Sequence, residues 1–200
     1  MKAPYPATNF LLQKPPGLRT EPGEALLLYL DRIHDTERRG ESREESFYRH
    51  LLDLLDWFAG ERGLADLRVV LIPRKTEHCL LDFQVWRGER IAGYVEAKRP
   101  GTNLDLVECS EQIERYRRTF PNLLLTNFRE FRLYRHGQPV LRAHAGAQVG
   151  RPEKLLELLE LFAGFDSPAS VSTAVLAERL AGRTRVLAAR IHELLMLDPE

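Results

Sequence analysis

The chain has little of what would mark several large protein classes. Two cysteines, Cys79 and Cys109, form no CxxC pair and no disulfide framework, which fits a reducing interior. No apolar run approaches the roughly 20 residues of a membrane span; the longest bursts are as short as "ALLLYL". The amino terminus, "MKAPYPATNFLLQKPPGLRT", is broken by prolines and lacks the apolar centre of a cleavable signal. These absences predict a cytoplasmic protein with no membrane partner. Formal charge is zero, so a globally basic nucleic-acid binder is not indicated and any such surface has to be local. The histidines (34, 50, 78, 136, 144 and 192) are scattered without zinc-site spacing. No phosphate loop ending in Gly-Lys-Ser/Thr argues for ATP use, and no Ser or Cys sits in a nucleophile elbow. Lysine is scarce as well: five Lys stand against 24 Arg. A coding bias accounts for most of that imbalance, but one of the five falls at Lys98.

What remains is an ordinary globular composition, 44% apolar and 29% charged, with enough length for one full core and an appendage. Residues 1–23 read as an irregular arm rich in Pro and Gly. A helix is expected over about 24–38, and a stronger one over 42–59, "SREESFYRHLLDLLDWFA", with Phe47, Leu51, Leu54, Leu55 and Phe58 at helical spacing. Ser42 and Glu45 fit a capping box at its start. The period then changes from about 3.6 to 2. "LRVVLIP", "CLLDFQVW" and "IAGYVEAK" read as strands, the last two joined at "RGER" as a hairpin. A helix over 104–118 leads to the strands "NLLLTN" and "EFRLYRHG". The helix between "EAK" and "NLLLTN" implies a parallel crossover, hence a mixed sheet. From 151 onward the chain reads as a helical connector, divided from a 24–150 domain. Its last stripe (Val175, Leu176, Leu180, Val186, Leu187, Ile191, Leu194, Leu195) is cut off at "DPE", as though its partner lay in another chain or a continuation.

Within this frame Asp82, Glu96 and Lys98 carry the chemistry. Glu96 and Lys98 share a face of one strand, because side chains alternate. Hard Mg²⁺, or Mn²⁺ in its place, takes oxygen ligands, which Asp82, Glu96 and the backbone carbonyl of Ala97 supply. Lys98 could orient or help deprotonate an attacking water and offset charge in a phosphoryl transition state. Glu45, in the preceding helix, could hold a second metal. A solvated strand face is the plain alternative for a Glu-x-Lys. Asp82 inside an apolar run weighs against it, since an unpaired carboxylate there is costly. Register sets a condition: a regular two-residue turn at Gly88-Glu89 pairs Asp82 with Val95, on the wrong face. A bulge or odd loop around 87–90 is therefore expected. Gln112 and Tyr116 share a helix face nearby; a surface Gln and a half-buried Tyr are the alternative.

The string "LLDFQVWRGERIAGYVEAKRPG" resembles the core motif of the PD-(D/E)xK nuclease superfamily. More narrowly, it is similar to the amino-terminal nuclease domains of single-chain restriction–modification enzymes, which fuse nuclease, adenine methyltransferase and target recognition. "EESFYRHLLDLL" is similar to the opening helix of those domains, where Glu45 is the best match to its acid and Glu44 the fallback. "EQIERY" matches their Gln-x-x-x-Tyr motif through Gln112 and Tyr116, and "NLLLTNFREFRLYRHG" their closing strands. The likeness covers roughly 40–140. Leu81 stands where the family often has Pro. The chain carries neither a Gly-rich cofactor motif nor an Asn-Pro-Pro-Tyr signature, so S-adenosylmethionine has no site in it.

The resemblance implies an α/β, restriction-endonuclease-like mixed central sheet flanked by helices, with a carboxy-terminal helical connector. It implies Mg²⁺-dependent endonucleolytic hydrolysis of double-stranded DNA in a restriction system. Asp82, Glu96 and Lys98 would be the catalytic core, supported by Glu45 and Gln112. The implied partners are methyltransferase and target-recognition domains, and a transient dimer for double-strand cleavage. Arg99, Arg115 and Arg118, with Tyr116, are candidate DNA contacts; Arg117, Arg129, Arg132 and Arg135 lie in the same region. A charged helix face interleaved with Glu111, Glu114 and Glu130 is the alternative for these cations. Two other functions compete: a nuclease-like module that only binds DNA or docks a methyltransferase, and the nuclease of an ATP-driven restriction subunit or repair protein.

Overall fold

The computed structural model describes residues 21–40, 43–72, 81–146, 152–166 and Thr184. Contacts divide the chain into Met1–Ser167 and Pro168–Glu200. Of the second unit only Thr184 is described, so the apolar stripe from Val175 to Leu195 lies outside the described residues.

The first unit is a six-stranded sheet in the sequential order β1 (Leu67–Leu71), β2 (Phe83–Arg87), β3 (Arg90–Ala97), β4 (Asn122–Thr126), β5 (Glu130–Arg135) and β6 (Gln138–His144). Only the β3–β4 pair is parallel, as the crossover required. Helices α1 (Pro22–Arg38), α2 (Glu45–Glu61) and α5 (Pro152–Ala163) cover one face, and α3 (Leu104–Glu108) with α4 (Glu111–Thr119) covers the other. Strand alternation sorts the side chains: Val95, Ala97, Leu124 and Leu133 join the first core, while Tyr94, Leu123, Leu125 and Tyr134 join the second. Both faces are buried, which is why "NLLLT" reads as a continuous apolar run.

Several boundaries differ from those the sequence suggested. Pro22 already opens α1, in the first-turn position where a missing N–H costs nothing. Helix α2 starts at Glu45 with Glu44 as its N-cap, and Ser42 lies outside the described residues. The expected helix over 104–118 is two helices, because Ser110 accepts a hydrogen bond from the Ile113 amide and restarts the chain as α4. Strand β6 was not anticipated. It carries Pro139 and a mostly exposed pattern, the marks of an edge strand that no apolar alternation announces. Helix α5 buries Leu155, Leu158, Leu159 and Phe162 in the sheet's own core. It packs with the sheet unit.

The β2–β3 hairpin positions the site. It turns through two residues, Gly88 (φ +58) and Glu89, with Arg87 paired to Arg90. By itself that turn would put Asp82 out of phase. The register shifts, however, between Val85 (opposite Gly93) and Trp86 (opposite Ile91), leaving Ala92 as the extra residue. The required shift exists, inside the ladder rather than at 87–90. Next to it, Gly93 has no room for a side chain: a Cβ would lie 2.4 Å from the Phe162 ring and 2.8 Å from the Asn122 amide. Asn122 donates to the carbonyls of Ala92 (2.7 Å) and Phe162 (2.9 Å), clamping α5 against the bulge.

Candidate functional site

Beyond the bulge, Phe83 faces Val95, and one further step sets Asp82 opposite Glu96. Asp82 is the residue before β2, at a bend rather than within the strand. Its Oδ2 accepts the Ala97 amide at 2.8 Å, so the carboxylate takes the place a ladder carbonyl would have had on β3. Its Oδ1 accepts the Tyr48 hydroxyl of α2. Asp82 thus sits at the end of the sheet, held from the α2 side, while Glu96 lies on the α4 side with Tyr94.

Glu96 is buried, 2% exposed. Its Oε1 accepts from Lys98 Nζ at 2.5 Å and from Gln112 Nε2 at 3.5 Å. Its Oε2 is buried with no hydrogen-bond partner. Burial and the charge of Asp82 push the Glu96 carboxyl up to about 7, against a smaller downward pull from Lys98. For Lys98, burial pulls the ammonium pKa down, but the carboxylates of Glu96, Glu44 and Asp82 together outweigh it and the net shift is upward. Lys98 is therefore a cation here, not a neutral amine. Between about 4.5 and 7 the folded chain keeps a Glu96 proton that the unfolded chain releases. Stability from this group is full below the lower value and is lost as pH rises through the higher one. A pH series of thermal melts without metal should show a decline across that window that Glu96→Gln flattens. Equal slopes for parent and variant would refute the Glu96 shift.

The structure brings together Asp82, Glu96, Lys98 and Gln112. Gln112 also donates to the Tyr116 hydroxyl at 3.0 Å, which fixes its amide beside Glu96. Tyr116 is buried, 4% exposed, and packs on Phe120, so it supports the site from below. Of the two helix acids, Glu45 is exposed on α2. Glu44 is the one whose charge acts on Glu96 and Lys98, and its Oε1 lies 3.3 Å from the Tyr48 hydroxyl. Tyr48 was not anticipated, although it stands one helical turn from Glu44 in "EESFY". Its single proton serves one carboxylate at a time, and the closer contact, to Asp82, takes it.

The arginines divide. Arg117 donates to the Gly137 carbonyl, Arg129 to Glu37, Arg132 to Glu108, Asp105 and Glu130, and Arg135 to the Leu161 carbonyl. Arg118 pairs with Glu114 on the exposed face of α4, and Arg115 lies over the Tyr116 ring. Arg99 is exposed just past Lys98.

The carboxylates suit a hard cation. An orphaned buried oxygen on Glu96, opposite a second carboxylate, is the group a divalent ion satisfies. Among the described residues no three of His, Cys, Asp and Glu close around one point. A divalent ion held here would have two protein carboxylates and be completed by water, a donor set that suits Mg²⁺ because it keeps several waters. Among the described residues no helix is long and apolar enough to cross a membrane.

No protein-family profile and no curated protein sequence matches the chain. Among solved structures, a chain of the DrdV–DNA complex, determined by cryo-EM, matches with a TM-score of 0.57 and 24% identity, over 73% of this chain. The match spans 14% of that longer chain. Together with the six-stranded mixed sheet and its flanking helices, the likeness shows a restriction-endonuclease-like fold.

Proposed function

We propose that the chain is the cleavage domain of a restriction–modification enzyme, hydrolysing DNA phosphodiester bonds endonucleolytically with Mg²⁺. The observation that carries this reading is the placement of Asp82, Glu96 and Lys98 at adjoining strand ends, with Glu96 Oε2 buried and unsatisfied. A module that only binds or docks has no use for that combination, because a buried unpaired carboxylate oxygen is a cost without return. The match to a chain seen in a DNA complex supports DNA as the substrate.

Asp82, Glu96 and the Ala97 carbonyl would hold the metal, which when bound supplies Lewis-acid polarisation of a phosphoryl oxygen and a more acidic water. The side chains do the rest. Tyr48 and the Ala97 amide fix both oxygens of Asp82. Gln112 and Lys98 hold Glu96 Oε1 and leave Oε2 free to coordinate. Lys98, kept protonated by Glu96, orients the attacking water and donates to the scissile phosphate; it does not act as the base. A water oxygen bonds to phosphorus as one ester P–O bond breaks; the attacking water gives its proton to solvent, the leaving oxygen takes one from solvent and departs as a hydroxyl, and Lys98 offsets the charge that builds on the non-bridging oxygens. Methyltransferase and target-recognition domains would supply sequence choice, and a transient dimer would cut both strands.

Calorimetry with Mn²⁺ tests the metal assignment. The parent chain should bind Mn²⁺, and Asp82→Asn should bind at least about tenfold more weakly, the loss expected on disturbing a metal's close support. Equal affinity in the two would remove Asp82 from the ligand set.

A further inference from the structure

The segment that presents Lys98 is held at both ends from one place. The Lys98 amide donates to the carbonyl of Thr126, the last residue of β4, at 2.7 Å. Asn127, the residue after it, donates through Nδ2 to the Thr102 carbonyl at 2.8 Å. Two adjacent residues thus grip both ends of "KRPGT". Between the grips the segment closes on itself. Pro100 and Gly101 (φ +81) form a turn, with the Thr102 amide on the Arg99 carbonyl at 3.1 Å, the arrangement of a type II turn.

Asn127 is 8% exposed. Its Oδ1 accepts the amides of Arg129 at 3.1 Å and Glu130 at 2.7 Å, which closes the β4–β5 turn. An aspartate would serve that turn equally well, because a carboxylate accepts the same two amides, but an ionised one cannot donate to a carbonyl. The part of Asn127 that the turn does not use is the part that reaches Thr102. The turn itself is firmly built. Phe128 adopts φ +68, a left-handed backbone that is costly for a residue with a Cβ. Its amide donates to Thr126 Oγ1 at 2.9 Å, and its carbonyl accepts the Tyr29 hydroxyl of α1 at 2.7 Å. Its buried ring packs on Phe47 of α2, with centroids 5.5 Å apart. A strained residue persists where its surroundings over-determine it, and here they aim the Asn127 amide at the loop that follows Lys98.

We propose that Asn127 is a positioning residue for the reaction: through the Thr102 carbonyl it holds the segment that carries Lys98, and so keeps the ammonium where the phosphate is attacked. The inference rests on the nuclease reading and adds to it a residue that acts through Lys98 alone. Displacing a reacting group by about 1 Å can cost about 10²-fold in rate even when the change is made far from the chemistry.

N127D is the test, because it keeps the acceptor of the turn and deletes the donor. Plasmid nicking in Mn²⁺ should fall by about 10- to 10²-fold, with Mn²⁺ affinity by calorimetry equal to that of the parent. In a K98A background the same change should alter the residual rate by no more than about twofold, since a group that acts through Lys98 has nothing left to act on. N127S, whose shorter side chain keeps a turn acceptor and falls short of the Thr102 carbonyl, carries the same expectations without a new charge. Y29F loosens the same turn without touching Thr102; it should melt lower and nick at the parental rate. Amide hydrogen exchange reads the grip directly: Thr102 should exchange faster in N127D and at the parental rate in Y29F. Parental nicking by N127D, an equal loss in the K98A background, or unchanged exchange at Thr102 overturns the proposal. A parent that never nicks, with Thr102 exchange accelerated in N127D, refutes the nuclease reading and leaves the grip standing.

Discussion

Replacing Lys98 with alanine is expected to lower DNA cutting by about 10²–10³-fold, the usual effect of removing one preorganised charge-stabilising donor, while the chain stays folded. The second half of that expectation follows from Glu96. Deleting the ammonium leaves a buried carboxyl without its cation, which would ordinarily be severe. Here the carboxyl already titrates at about 7, pushed up by burial and Asp82, so it takes a proton instead of remaining a buried charge. Lys98 itself is near the rim, 20% exposed, and its backbone amide is held independently by the Thr126 carbonyl at 2.7 Å. Plasmid nicking in Mn²⁺, with a thermal melt of each protein, measures both halves. A variant that nicks at the parental rate takes Lys98 out of the mechanism. One that is unfolded shows instead that the ion pair is structural.

The largest effect on stability is expected at Arg132, which lies two strands from Glu96 in register and bonds none of the candidate catalytic side chains. Its guanidinium is 3% exposed and binds three carboxylates: Glu130 at 2.7 Å, Glu108 at 2.5 Å and Asp105 at 2.8 Å. Asp105 and Glu108 belong to α3 and Glu130 to β5, so this one side chain fastens the α3–α4 layer to the sheet. Arg132→Ala leaves the largely buried Glu108 and Glu130 facing a hole, with Asp105 already in solvent, and breaking a buried pair from one side costs about 3–5 kcal/mol. Arg142, exposed on β6, still reaches Glu108 at 2.9 Å and limits the damage. Urea denaturation should place Arg132→Ala in that range, and a loss below about 1 kcal/mol would mean that water replaces the guanidinium at little cost. Because α4 carries Gln112 and Tyr116, the same variant should loosen the support of Glu96.

The sequence settled much that depends on local pattern. The switch from a 3.6 to a 2 period located α2 and the strands, the helix before "NLLLTN" required a parallel pair, and Glu96-x-Lys98 had to share a face. These are consequences of backbone geometry over a few residues, and they survive folding. Gln112 and Tyr116 met because four residues make a helical turn. What the sequence left open depended on elements far apart along the chain. Whether Asp82 meets Glu96 turned on a bulge at Ala92, which exists where Gly93 yields space to Phe162 of α5, some seventy positions later. That the charge of Glu44 reaches Glu96 and Lys98 depends on where α2 begins and how it lies against the sheet, since adjacent residues on a helix point about 100° apart. Tyr48 gained its role only when β3 brought the Ala97 amide to the other oxygen of Asp82. The arginines looked alike in the chain; the fold sorted them by placing a carboxylate or carbonyl beside Arg117, Arg129, Arg132 and Arg135 and none beside Arg99. Side-chain type and spacing are written locally, whereas pairing, burial and the electrostatics that follow from them belong to contacts that only the tertiary structure makes.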